Sequence, residues 1–198
     1  MLETLLAALT FGLTAGLKPG PLSIFVIHQT LSHGLRAGII ASLAPFASDG
    51  PIIITSYYII SNFKQFDLFI ATLSIVGAAF LAFIAIRLLI KDVEPDSESS
   101  SPASFATAVK LNLLNPAPYI FWGTVGGVYM TQGTLAAGLS FIIIFLLTLS
   151  ATKILLAGSL RALGSRFSRR AYHYLLKTLS IVLLLFAGNL LLEGIRLL

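Results

Sequence analysis

Two charged side chains, Lys18 and Asp49, fall inside long apolar runs of the 198-residue chain. Asp49 stands in the run 37–60, about twelve residues from either end, so it falls near the middle of a bilayer core about 30 Å thick. An aspartate there costs roughly 2.5–3.5 kcal/mol on insertion scales. Acids at that depth face a bundle interior and serve a proton or ion pathway, or else they close a structural ion pair. Lys18 lies at similar depth in the run 4–30 and is the natural candidate partner for Asp49. Its alternative is to snorkel along a cavity wall. Lys153 sits nearer the cytoplasmic end of its own run, where snorkelling alone accounts for it.

Proline supplies the second chemical signal. It lacks an N–H and clashes with the carbonyl four residues back. Pro19 and Pro21, either side of Gly20, therefore free the carbonyls of Ala15 and Leu17. Pro116 and Pro118 do the same for Asn112 and Leu114. An unpaired polar group in hydrocarbon costs several kcal/mol, so such breaks persist only when buried in protein or lining a wet cavity. Freed carbonyls can hold a cation, and the half-helix after Pro21 points N–H groups at an anion. A site offering both suits a zwitterion. Single prolines often do no more than kink a membrane helix. Two such pairs, in Leu17-Lys18-Pro19-Gly20-Pro21 and Leu114-Asn115-Pro116-Ala117-Pro118, occupy matching depths of the two halves and favour a binding site.

The elements that must position these residues follow from composition. The chain is 57% hydrophobic and 11% charged, against about a quarter charged in soluble domains. Six runs are long enough to cross a bilayer: 4–30, 37–60, 66–90, 106–129, 134–158 and 175–195. The expected fold is all-α, a polytopic membrane protein with six transmembrane helices in two inverted three-helix repeats. Residues 1–90 form the first repeat and 105–198 the second. Between them, KDVEPDSESSSPAS at 91–104 reads as a flexible cytoplasmic linker. Loop lysines and arginines set the orientation. Arg36, Arg87, Lys91, Lys110, Arg161, Arg166, Arg169, Arg170 and Lys177 fall on one side, against Lys64 and Arg196 on the other. The first side is cytoplasmic, and both termini are expected outside. The chain opens MLET, without the basic start of a cleaved signal peptide, so the first run is expected to stay.

Most other polar residues have plainer readings. Gly12, Gly16, Gly34, Gly38 and Gly126 fall in small-residue spacings that let helices approach closely. Tyr57, Tyr58, Trp122, Tyr129, Tyr172 and Tyr174 read as interface anchors. Gln29 and Thr30 are candidates for the inner mouth, and His28 for a proton relay. The chain has no cysteine, which excludes disulfides and thiolate sites. Its three histidines lack metal spacing, so no metal or cofactor is expected. Ser23, Ser42 and Ser150 lack the setting of a nucleophile, which argues against an intramembrane enzyme. The net charge of +5 lies in short loops and reports topology, so no nucleic-acid partner is expected.

Gly16-x-x-Pro19-Gly20-Pro21, followed by Gly34, Gly38 and then Asp49, resembles the lysine exporter (LysE/RhtB) family of amino-acid efflux proteins. Asn115-Pro116 followed by Phe121-Trp122 is similar to that family's second signature. The resemblance implies a secondary transporter of the inner membrane, driven by the proton-motive force and exporting amino acids or related metabolites. It carries functional roles onto Pro19, Gly20, Pro21, Asp49, Asn115 and Pro116; Lys18 and Pro118 join them on the residue arguments above. Ala117 replaces the family's lysine after Asn-Pro, which marks a divergent subfamily. Expected partners are an amino acid-like substrate, protons and the bilayer, and the sequence leaves a homo-oligomer open. The rival readings are a passive channel and a non-transporting membrane assembly partner.

Overall fold

The computed structural model describes residues 2–60, 63–90, 102–131, 134–164 and 169–198. They are helical throughout, with no strand among the described residues: α1 (Leu2–Leu17), α2 (Pro21–His33), α3 (Leu35–Ser42), α4 (Ala44–Ile60), α5 (Phe63–Ile90), α6 (Pro102–Leu113) and α7 (Pro116–Phe121), then a π turn (Trp122–Gly126), α8 (Gly127–Thr131), α9 (Leu135–Gly164) and α10 (Arg169–Arg196). Most of the expected 91–104 linker lies outside the described residues. Its last three positions form the first turn of α6, where Ser104 Oγ donates to Gln29 Oε1 at 3.0 Å.

Among the described residues, four stretches are long and apolar enough to cross a membrane: Leu35–Tyr58, Leu68–Ile90, Leu135–Ala162 and Lys177–Arg196. The first joins α3 and α4 across a single non-helical residue, Leu43. The runs 4–30 and 106–129 are not continuous helices, and the proline pairs are the cause. Pro21 can start a helix because its missing N–H is one of the groups a helix leaves unpaired there anyway. Gly20 precedes it in extended conformation, and Asn115 likewise precedes Pro116.

Helix directions follow from which residues meet. Gly12 faces Thr148 and Gly16 faces Thr152, so α1 runs parallel to α9. Asp49 meets Asn112 and Ser56 meets Tyr119, so α4 runs parallel to α6 and α7. Gly77 lies by Leu190 and Gly194 by Ile75, so α5 and α10 are antiparallel. At Gly12 an added Cβ would come within 2.8 Å of Thr148 Cβ, and at Gly38 within reach of Thr30, whose Oγ1 bonds back to Val26 O. Gly34 departs from the packing reading. Its φ is +86° and a Cβ there would meet nothing within 4 Å, so it serves the turn between α2 and α3.

Two apolar cores flank the breaks. Leu22, Phe25, Leu81, Leu111 and Leu183 fill one. An aromatic cluster dominates the other, with Trp122 edge-on to Phe145 at 5.1 Å and Phe121 stacked on Phe145 at 4.8 Å.

Candidate functional site

The second break holds the acid. Asp49 is 3% exposed, and both carboxylate oxygens are occupied by neutral donors. Asn112 Nδ2 donates to Oδ1 at 2.7 Å and Trp122 Nε1 donates to Oδ2 at 3.0 Å. Asn112 Nδ2 also donates to Ser48 Oγ at 2.7 Å, while Ser48 donates to Ala44 O at 3.0 Å. Asp49 and Ser48 come from α4, and their partners come from α6 and the π turn beyond the break. The π turn carries Trp122 at its start, with the ring buried among Phe141, Phe145 and Phe121. Trp122 is therefore not an interface anchor, because its indole N–H is committed to an interior carboxylate.

The carbonyls that proline frees here find new uses. Asn112 O accepts from Asn115 N–H at 3.2 Å, and Asn115 Oδ1 accepts from Ala117 N–H at 3.1 Å, capping α7. Leu114 O points at Gly77 on α5, where only the missing side chain leaves it room. Tyr119 anchors the segment by donating to Leu113 O at 2.9 Å, and Ser56 Oγ donates to Tyr119 O at 3.2 Å.

The first break holds a base, and it is not Lys18. Lys18 is exposed and forms no ion pair with Asp49, which corrects the expected pairing. Helix α1 ends one residue earlier, and the extended turn carries the Lys18 side chain to the surface. Lys153 of α9 occupies the interior instead. It is 4% exposed, and Nζ donates to Ser23 Oγ at 2.7 Å with a longer contact to Gly16 O at 3.5 Å. Ser23 Oγ in turn donates to Lys18 O at 3.1 Å. Snorkelling is thus overturned for Lys153, whose ammonium bridges the end of α1 and the start of α2.

A small cavity joins the two breaks. Pro21 from the first and Leu114 and Asn115 from the second line it, with Gly77, Leu81 and Leu190 among the remaining wall residues. Its volume is about 10 Å³, room for about one water. Gly20 and Pro118 are half-buried, Pro116 is buried and Pro19 is exposed. Neither Lys18 nor Asp49 lines this cavity. Gln29 and Thr30, expected at an inner mouth, are buried in helix contacts. His28 is fully buried, with Nδ1 3.2 Å from Ser32 Oγ.

Sequence reasoning missed Asn112, Trp122, Ser23 and Lys153 as site residues. Asn112 left the clearest signal, an amide inside an apolar helix one turn before the break.

Comparison with known proteins places this geometry. A family model described as LysE type translocator matches residues 13–194. The chain is similar to the chemotactic transduction protein ChpE of Pseudomonas aeruginosa, at 24% identity over 134 residues. That alignment spans 64% of this chain and 64% of the relative. No solved structure matches.

Proposed function

The chain belongs to the LysE type translocator family, a family of membrane transporters, and from that premise we propose that it exports amino acids or related small zwitterionic or amine metabolites. The export crosses the cytoplasmic membrane and draws on the proton-motive force. The observation that carries this reading is the shared cavity: proline breaks from opposite halves of the chain bound one space. Beside it stands Asp49, a buried acid held only by neutral donors, which suits a coupling group.

The proposed architecture is six spans in two inverted three-helix repeats, 1–90 and 105–198, joined by a cytoplasmic linker, with both termini outside. Helix directions support it. In that topology the first and fifth spans run the same way, as do the second and fourth, while the third and sixth oppose each other. Those are the directions of α1 with α9, α4 with α6 and α5 with α10. The register that carries Pro19 onto Pro116 also carries Ser56 onto Lys153. Each of these last two reaches the break of the other half.

Proteoliposomes loaded with a panel of amino acids and given an imposed pH gradient test the proposal. Saturable, gradient-dependent flux is expected for at least one member, and no flux for any would refute transport. Asp49→Asn should abolish the dependence on the gradient; unchanged flux and pH response would remove Asp49 from coupling. The name of the Pseudomonas relative, a chemotactic transduction protein, favours a second reading as a non-transporting membrane partner. The same experiment separates the two.

A further inference from the structure

Among the described residues Lys153 is the one buried lysine or arginine. Its two contacts, a serine hydroxyl at 2.7 Å and a backbone carbonyl at 3.5 Å, are neutral, and no carboxylate pairs with it among the described residues. A buried charge costs several kcal/mol unless an opposite charge or a full set of hydrogen bonds compensates. An ammonium has three donors, and two are engaged here. A tether between α1 and α2 needs only a donor, and the negative end of α1 offsets only part of the cost of the charge.

The surroundings divide in sign. Gly16 O belongs to the last turn of α1, whose negative end favours a cation, and Ser23 lies in the first turn of α2, whose uncapped N-terminus favours an anion. The second break is built the other way. There Asn115 caps α7, and the nearby charge is the carboxylate of Asp49. The first break thus offers an oxyanion an ammonium and a helix N-terminus, and the second offers neither.

We propose that Lys153 is the group that receives the carboxylate of the transported molecule, so that substrates must carry one and simple amines are rejected. This rests on the transport reading above and narrows it. On substrate entry, Nζ exchanges its weak contact to Gly16 O for a charge-assisted hydrogen bond to the carboxylate. Ser23, fixed to Lys18 O, holds the ammonium in place meanwhile.

The test uses the purified full chain in detergent. Melting temperature is followed while glycine, leucine or lysine is titrated against the matching decarboxylated amines, methylamine, isopentylamine and cadaverine. At least one amino acid should raise the melting temperature where its amine does not. Lys153→Gln should raise the half-saturating concentration about ten- to hundred-fold, while Lys153→Arg, which keeps the charge, stays below about ten-fold. Lys177→Gln provides the control, because it removes an exposed lysine of α10 and leaves Lys153 and Ser23 in place. Loss of the amino-acid shift in folded Lys177→Gln protein overturns the proposal. Equal shifts from amines, no shift from any panel member, or undiminished binding in Lys153→Gln overturn it as well. Flux in proteoliposomes is measured in parallel. Flux that ignores Lys153→Gln leaves transport standing and removes the carboxylate role. Carboxylate binding lost in Lys153→Gln without flux in the parent does the reverse.

Discussion

Gly77→Ala adds one methyl group to α5 at the place where the second break is closest to another helix. An ideal Cβ there would run into Leu114 O and would lie 3.1 Å from Leu114 C and 3.3 Å from Leu190 Cδ2. Ordinary van der Waals contact begins at 3.4 Å, so helix and carbonyl must part. Leu114 cannot yield cheaply. Its N–H is bonded to Lys110 O at 2.9 Å, and the next residue caps α7. Overpacking of this kind costs about 1–3 kcal/mol. Gly188→Ala on α10 is the matched control, because a Cβ there meets nothing within 4 Å. Both changes gain the same helix propensity, about 1 kcal/mol. The two variants should therefore differ by the packing cost alone. At about 2–4 °C per kcal/mol for a chain of this size, the gap in melting temperature is about 2–12 °C. Thermal unfolding in detergent, followed by helical circular dichroism, measures it. If Gly77→Ala melts with or above Gly188→Ala, the carbonyl of Leu114 does not pack where the break requires.

Further predictions concern the acid and the topology. Trp122→Phe keeps a ring against Phe141 and Phe145 but removes the N–H given to Asp49, a bond to a charged group worth about 1.5–3 kcal/mol. A double-mutant cycle with Asp49→Asn should show coupling above about 0.5 kcal/mol, and additivity would mean that the pair does not interact. The absence of native cysteine makes single-cysteine labelling direct. Glu3→Cys should react with an impermeant thiol reagent from outside, and Arg36→Cys and Arg161→Cys only from the cytoplasm. Labelling of all three from one side would refute the six-span reading.

The breaks were legible in the sequence because proline acts locally, through a missing N–H and a ring clash, although Pro51 stays inside α4, so the pairing and not a lone proline marks a break. That Asp49 lies far from both ends of its apolar run was legible for a similar reason, since counting along a run needs no knowledge of neighbours. Its partners were not. Asn112 and Trp122 reach Asp49 across 63 and 73 residues of chain, and only the parallel packing of α4 with α6 brings them there. Lys153 was misread because α9 is apolar all round, so nothing in its pattern says which side meets protein. A lysine near a helix end then looks like an anchor. Gly34 shows a different limit: spacing suggested close packing, whereas its backbone angle shows a turn.

Two buried charges of opposite sign that do not pair need an explanation that stability does not provide. Paired with each other, Asp49 and Lys153 would offset part of their desolvation. Instead each is held by neutral groups at a different break, and each comes from a helix of the opposite half to one of its partners. Apolar residues of similar volume would pack either position at lower cost. The arrangement is economical only if something else supplies the missing charge part of the time. On the proposed reading a proton does so for Asp49, and the carboxylate of a substrate for Lys153. On the same reading the cavity at the breaks, about 10 Å³, is too small for an amino acid, so loading would need the breaks to separate. Leu114 O beside Gly77 ties the second break to α5, so on that reading a single methyl group at Gly77 is expected to bear on transport as well as on stability.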